Sequence, residues 1–561
     1  MDRRAFFASH KRKPVTVQAT TNPTVRNITS GIGPYTGPWG ANEVTHLLKR
    51  TMYGAKKADV NYFVTKTRAQ AVDELLTPTE AMPAVPLKEY ATTTTVGAVP
   101  DTTVAQGTTW INDVNNDGTV QNQRRSSLRK WWTGNLINQG RSIREKMTMF
   151  WANHFGTELE DVGNANLGYI HHNLLRTNCL GNFKQLVRSV TIDPQMLRYL
   201  NGYLNTATAP DENYGRELQE LFCIGKGPGS QYTEDDVKAA AKVLTGWQIN
   251  YSNYTSMFTS SRHTAAGVNK AFSAFYNNTV ITGRTGATAG LLELDDMLNM
   301  IFANQETAKH IVRKFYRWFV YYDIDATTET NVITPLATLF RNNNYDIKPV
   351  LTTLFNSEHF YDVLNQSCVI KSPADLVIGS VREMNVAFPT ATDWDTNYGL
   401  WSSFFSYMAV LQQVIGDPPN VAGLPAYYQE PLFHEIWINA DTLPKRNQYT
   451  DVMIFNGVSK NGFKAIFDLP IWVQQLYNPG NPNDLIDSIL STAFRITLSN
   501  ESKKQIKTQI LLSGQQYDYY WTNAWHAYLA NPANTTNFNT VNNRLKSLFQ
   551  YLYSLSEYQL S

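Results

Sequence analysis

Run after run of this chain places its apolar residues three and four apart. From Ser142 onward, Ile143, Met147, Phe150, Trp151 and Phe155 keep that spacing, with His154 on the same stripe. Such a period marks one face of an α-helix, and a helix with an apolar stripe must bury it against another element. The pattern returns in Val44, Leu47, Leu48 and Met52, in Phe183, Leu186, Val187 and Val190, and in Val237, Ala240, Ala241 and Leu244. Further helices are expected over 291–320 and 332–355 and from about 484 to the end. A chain written this way is mainly α: a large multi-helix globular fold with long irregular loops and little β structure.

Capping residues punctuate the pattern. Ser142 and Glu145 spell an S-x-x-E capping box, and Thr233 with Asp236 caps another helix. Asp211-Glu212-Asn213 opens a helix with acidic groups where the macrodipole favours them, and Gly225 is a natural stop. The segment 211–247 is therefore expected to be a helix–loop–helix hairpin ending at Trp247. Ser372, Pro373 and Asp375 open a further helix. Two stretches have no helical period. Residues 78–122 are rich in Pro, Thr and Asn, and 248–290 in Ser, Thr, Asn and aromatics, which fits loop or short β structure. The organisation read from this is an extended N-terminal arm over 1–40 and a helical core over 41–450 with insertions at 78–122 and 248–290. A C-terminal helical segment, 451–561, packs on that core.

Composition narrows the function. Hydrophobic residues make up 42%, enough for a sizeable core, while charged residues make up only 17%, against roughly 25% in ordinary globular domains. Asn, Thr and 30 Tyr supply the surface polarity instead, a composition common outside the cytoplasm. The net charge of +2 without a large basic block argues against a nucleic-acid partner. Cys179, Cys223 and Cys368 form neither a disulfide framework nor a CxxC pair. No apolar run reaches the length of a transmembrane helix. Met1-Asp2-Arg3-Arg4-Ala5-Phe6-Phe7 resembles a twin-arginine export start, but the polar Ala8–Lys13 stands where an apolar segment should follow. A periplasmic or cell-surface location is expected; a basic tail on a cytoplasmic protein is the alternative.

Three groups of residues could carry chemistry. Glu217 and Glu220 are three apart on one helix face, with His154 on the preceding helical run and His263 in the irregular segment after. Carboxylates and histidines from neighbouring helices could hold a metal or act as acid and base on a glycosidic bond. They could equally form a polar network that only ties helices together. Arg216, Asn213, Lys270 and Trp247 flank this cluster and are the candidate binding residues. The second group, Asp113, Asn115 and Asp117 ahead of Gly118, matches the first half of a calcium loop. Position twelve of that loop is Arg124, whose charge opposes a cation, and a plain Asn/Asp turn is the alternative. The third is aromatic: Trp521, Trp525 and Tyr528 share a helix face, suited to core or to sugar stacking. Several motifs are excluded. His434-Glu435 lacks a second histidine at Ile438, Gly283–Gly286 is too short for a phosphate loop, and no Gly-x-Ser-x-Gly elbow occurs. His171 and His172 are adjacent on a helix and are expected to point apart.

Six segments together resemble a known family. They are Leu47–Gly54, Arg144–Phe155, Glu212–Phe222, Tyr232–Val237 running on to Leu244–Trp247, Lys371–Pro373, and Pro418–Gly423. In this order they are similar to the bacterial family catalogued as domain of unknown function 1800, over roughly residues 41–560. The resemblance implies a helical, largely extracytoplasmic protein whose gene often lies beside one for a sulfatase-like protein. It carries over no catalytic residue. Members usually have His-Asp-x-Gly-x-Lys near the middle, whereas here His263 and Lys270 are further apart and the aspartate is missing. The function expected is a binding or assembly component at the cell envelope, with a protein partner or a glycan. The alternative is a hydrolase or lyase acting on a polysaccharide through the Glu/His cluster.

Overall fold

The computed structural model describes residues 26–92, 100–494 and 498–561, and of these 57% are helical and 5% strand. The protein is mainly α, and the helices pack around one continuous apolar cluster running from Val44 to Tyr558. The twin-arginine-like start, Met1–Phe7, lies outside the described residues. Among those described, no helix is long and apolar enough to cross a membrane.

Among the described residues the strands form three two-stranded antiparallel hairpins. Two of them fall in 248–290 or at its edge: Trp247–Asn250 pairs with Thr255–Phe258, and Lys270–Ala271 with Val280–Ile281. The hairpin expected over 211–247 is thus shorter and less regular than its pattern suggested. A helix over Asn213–Glu217 continues as a wide turn through Leu218–Cys223, and Gly225 stops it at φ 90°. The next helix, Glu234–Val243, ends before Trp247, which begins a strand. Its capping box forms as read: Thr233 Oγ1 accepts the Asp236 amide at 3.3 Å, and Asp236 Oδ2 accepts the Thr233 amide at 2.7 Å. Ser372 likewise caps Pro373–Glu383.

The box at Ser142 and Glu145 does not form. Glu145 turns inward to a buried, two-pronged pair with Arg176, with Nη2 to Oε2 at 2.8 Å, and Ser142 Oγ donates to Glu80. A buried charge partner outbids an amide at a helix end. The helix Gly118–Ile137 carries no apolar period in the sequence. Its Gln121, Arg124, Ser127 and Arg129 are nevertheless buried, each bonded across an interface. It packs against Trp394–Val410, and Gly134 admits the Trp401 ring so closely that a Cβ there would stand 2.6 Å from it. Trp521, Trp525 and Tyr528 are core residues.

Candidate functional site

The residues singled out in the sequence divide between separate environments. Glu220 pairs with Lys226 and accepts the Tyr232 hydroxyl at 3.3 Å. Glu217 has a buried Oε2 with no partner; burial first, then the Glu220 charge, pushes its carboxyl up. Arg216, on the same short helix, is held by both oxygens of Glu234, at 2.7 and 2.6 Å, and reaches Glu212 at 3.3 Å. Asn213 is exposed and touches the Leu200 carbonyl at 3.4 Å. His154 is buried among Phe155, Phe183 and Phe222, with Nε2 3.1 Å from the Phe222 carbonyl. Burial, then the nearby Lys314, holds its ring well below the ordinary histidine range. Trp247 packs on Phe258 with centroids 5.3 Å apart.

His263 and Lys270 do meet, on a residue the sequence reading passed over. Glu293 Oε2 accepts Lys270 Nζ at 2.6 Å and lies 3.2 Å from His263 Nε2, and its other oxygen accepts the Arg284 amide at 2.7 Å. His263 Nδ1 is 2.8 Å from the Thr245 carbonyl. Both Lys270 and Glu293 are fully enclosed. Burial alone would raise the Glu293 carboxyl, but His263, Lys270 and the amide outweigh it and hold it below the usual range. Every charge in this cluster is answered within the protein. The oxygens of the Asp113 segment are engaged too. Asp113 Oδ2 pairs with buried Arg124 at 2.5 Å, and Asn115 Oδ1 accepts the Asp117 amide at 2.9 Å. Asp117 caps Gly118–Ile137 through the Thr119 and Val120 amides. Arg124 supplies the positive charge that a calcium ion would bring. Among the described residues no group of three or more His, Cys, Asp or Glu is placed to hold a metal.

Unanswered polar atoms collect elsewhere, around a cavity of about 40 Å³. The helix Ala165–Thr177, capped by Asn164, lies between Gly118–Ile137 and Pro194–Tyr199, so both of its adjacent histidines are buried and both border the cavity. They take different partners, His171 the Asp193 carboxylate and His172 the Trp132 ring. His171 Nδ1 is 2.9 Å from Asp193 Oδ2, which also accepts the Met196 amide at 3.0 Å. A carboxylate only accepts, so Nδ1 donates in this bond. His171 Nε2 has no partner; nor do both nitrogens of His172, Gln195 Oε1 and Trp132 Nε1. Leu128, Met149, Leu159 and Leu424 supply an apolar wall. The loop after residue 412 closes the cavity. Gly423, at φ 89°, passes so near Asn153 that any Cβ would strike its carbonyl, and the Leu424 amide donates to Asn153 Oδ1 at 2.7 Å.

A family model described as Protein of unknown function (DUF1800) matches residues 46–560. The chain belongs to this family. No curated protein and no solved structure matches it. Two of the segments that carry the DUF1800 resemblance wall the cavity: Met149, Ala152 and Asn153 come from one, and Pro418 from the other, with Leu424 directly after it.

Chemically, the cavity of this DUF1800 protein is bordered by a histidine held by a carboxylate, a second histidine and a glutamine in an apolar surround. His172 meets the Trp132 ring edge-on at 4.3 Å; burial, then Arg176, keeps it well below the usual histidine range, so it is neutral. Gln195 is held by Thr157 Oγ1 at 3.4 Å. Buried polar groups are almost always hydrogen-bonded, so five unpartnered polar atoms on residues that border one small space stand out. The sequence signal that could have pointed here was Asp193 in Asp193-Pro194, a helix cap with a spare oxygen, 22 residues after His171.

Proposed function

We propose that this protein is an extracytoplasmic ligand-binding component of the bacterial cell envelope, holding a small polar group in the cavity beside His171. The observation that carries the reading is that four residues bordering one apolar-walled space, His171, His172, Gln195 and Trp132, hold buried polar atoms without a partner. A site of this make-up takes a ligand with a polar tip and an uncharged body, such as the edge of a glycan or an amide. A protein partner, for which the sulfatase-like neighbour is the first candidate, would add its surface to this site.

A second reading is favoured by the His171–Asp193 pair. It resembles the base and its orienting carboxylate in hydrolytic sites, with Gln195 Oε1 available to place a water. A hydrolase or lyase would then work through His171 rather than through Glu217 and Glu220. Purification from the native envelope, followed by native mass spectrometry of the wild type and His171→Gln, tests both. Binding predicts a retained mass that the variant loses. Turnover predicts that the variant retains the ligand unconverted. A wild type that carries nothing and melts like the variant under every envelope extract tried would overturn the proposal.

A further inference from the structure

A second cavity, of about 30 Å³, has a different chemistry. Four cationic side chains line it: Lys49, Arg50, Lys146 and Arg317. One carboxylate side chain, Asp375, faces them, and Ser561 lines the cavity beside them. Two more basic side chains stand directly behind. Lys371 Nζ donates to the Tyr558 carbonyl at 2.7 Å, and Arg446 donates to the Lys371 carbonyl at 2.9 Å. These are not surface charges, since Lys49, Arg50, Lys146, Lys371 and Arg446 are all buried.

Their neutralisation is incomplete. Lys146 pairs with Asp375, which also accepts the Ser372 hydroxyl at 2.8 Å and caps its helix. Lys49 reaches Glu383 at 3.5 Å and donates to the Ala493 carbonyl at 2.8 Å. Among the described residues Arg50 donates to the Asn365 carbonyl, at 3.2 Å, and to the Cys368 sulfur, while its Nε is buried without a partner there. Arg317 donates to the Tyr322 carbonyl at 3.2 Å. His434 Nε2 at the same cavity is also buried and unpartnered. The helix Pro373–Glu383 points its N-terminus here as well, adding a positive partial charge. Asp375 and Glu383 answer the two lysines, the Glu430 charge acts on Arg317, and Arg50 is met by a carbonyl dipole and a sulfur; undercompensated buried charge is costly. Arg50, Lys146 and Ser372 come from three of the segments on which the family resemblance rests.

We propose that this cavity binds a small oxyanion, with Arg50 and Arg317 as its principal ligands and Lys49 and Lys146 as flanking charges. The group bound is a phosphate, sulfate or carboxylate, either free or as the tip of a larger molecule. Guanidinium groups suit paired oxygens, and the space admits only a few heavy atoms.

The test is thermal denaturation of the full chain titrated with sodium sulfate, phosphate or acetate, with ionic strength held constant by chloride. At least one oxyanion should raise Tm along a saturable curve that chloride alone does not reproduce. Arg317→Gln, half-buried and free to refold around its loss, should weaken the apparent affinity at least tenfold; Arg50→Gln should abolish the curve if it folds. Competition by glycerol phosphate would assign the tip of a larger molecule, and its failure beside active inorganic phosphate would assign the free ion. Equal responses to chloride and all three oxyanions, or an unchanged curve in Arg317→Gln, would overturn the proposal.

Discussion

Replacing Glu293 by Gln keeps its size and removes its charge. Lys270 Nζ, 2.6 Å away, is then left as an enclosed cation with a neutral amide. At an effective dielectric constant near 20, a pair at that spacing is worth about 6 kcal/mol of Coulomb energy, much of it offsetting desolvation. Removing one partner of such a buried pair costs about 3–5 kcal/mol. An unfolding entropy of about 2.1 cal/mol/K per residue over 561 residues gives about 1.2 kcal/mol/K, so about 4 kcal/mol lowers Tm by only about 3 °C. Calorimetry on wild type, Glu293→Gln, Lys270→Met and the double variant reads this directly. The double variant should recover most of the loss, because replacing both charges together is close to neutral. The acid limb provides a second readout. A carboxyl held below its unfolded value contributes stability that is present above that value and disappears as pH falls through the folded one. That limb should shrink in Glu293→Gln. A single variant within about 1 °C of wild type, or a double variant no better than the singles, would show that the triad is not a closed charge cluster.

Three further outcomes follow from the same physics. Glu217→Gln should leave the fold intact and raise stability at neutral pH by about 0.5–1 kcal/mol, since it relieves a buried carboxylate facing Glu220; destabilisation in urea would argue that Glu217 has a cationic partner. Gly134→Ala should cost about 1–3 kcal/mol by driving a methyl into the Trp401 ring, and an unchanged urea midpoint would contradict that packing. Lys371 is pushed down to about 7, first by burial and then by Lys49. The unfolded chain keeps a proton that the folded one sheds, so stability should rise with pH from about 7 toward the ordinary lysine value. Lys371→Met should flatten that rise, and an identical pH profile of Tm in the variant would refute the assignment.

The fold class and the family were legible because apolar period and capping are local signals. Ser372 and Thr233 cap where they were read because their partners lie three residues on. What the sequence concealed was long-range. Glu145 reads as half of a capping box until Arg176, 31 positions away, takes it. The helix Gly118–Ile137 buries arginines and glutamine, so no hydrophobic period announced it. Glu293 sits in an apolar run and gains meaning only when His263 and Lys270 fold back onto it. The candidate cavity was hidden for the same reason. Two neighbouring histidines on one helix diverge, and only helices packed on both sides bring them to a shared space.

The enclosed pairs also constrain how this chain can diverge. Arg124 is shared by Asp101 and Asp113, Arg176 by Glu145, and Lys270 by Glu293. Losing one member strands a charge, while exchanging the whole set for apolar residues costs little. Neutral drift at these positions therefore proceeds in coordinated steps or not at all. In relatives of this protein the members of each set should be present together or absent together, a covariation that marks the spatial contact without any coordinates.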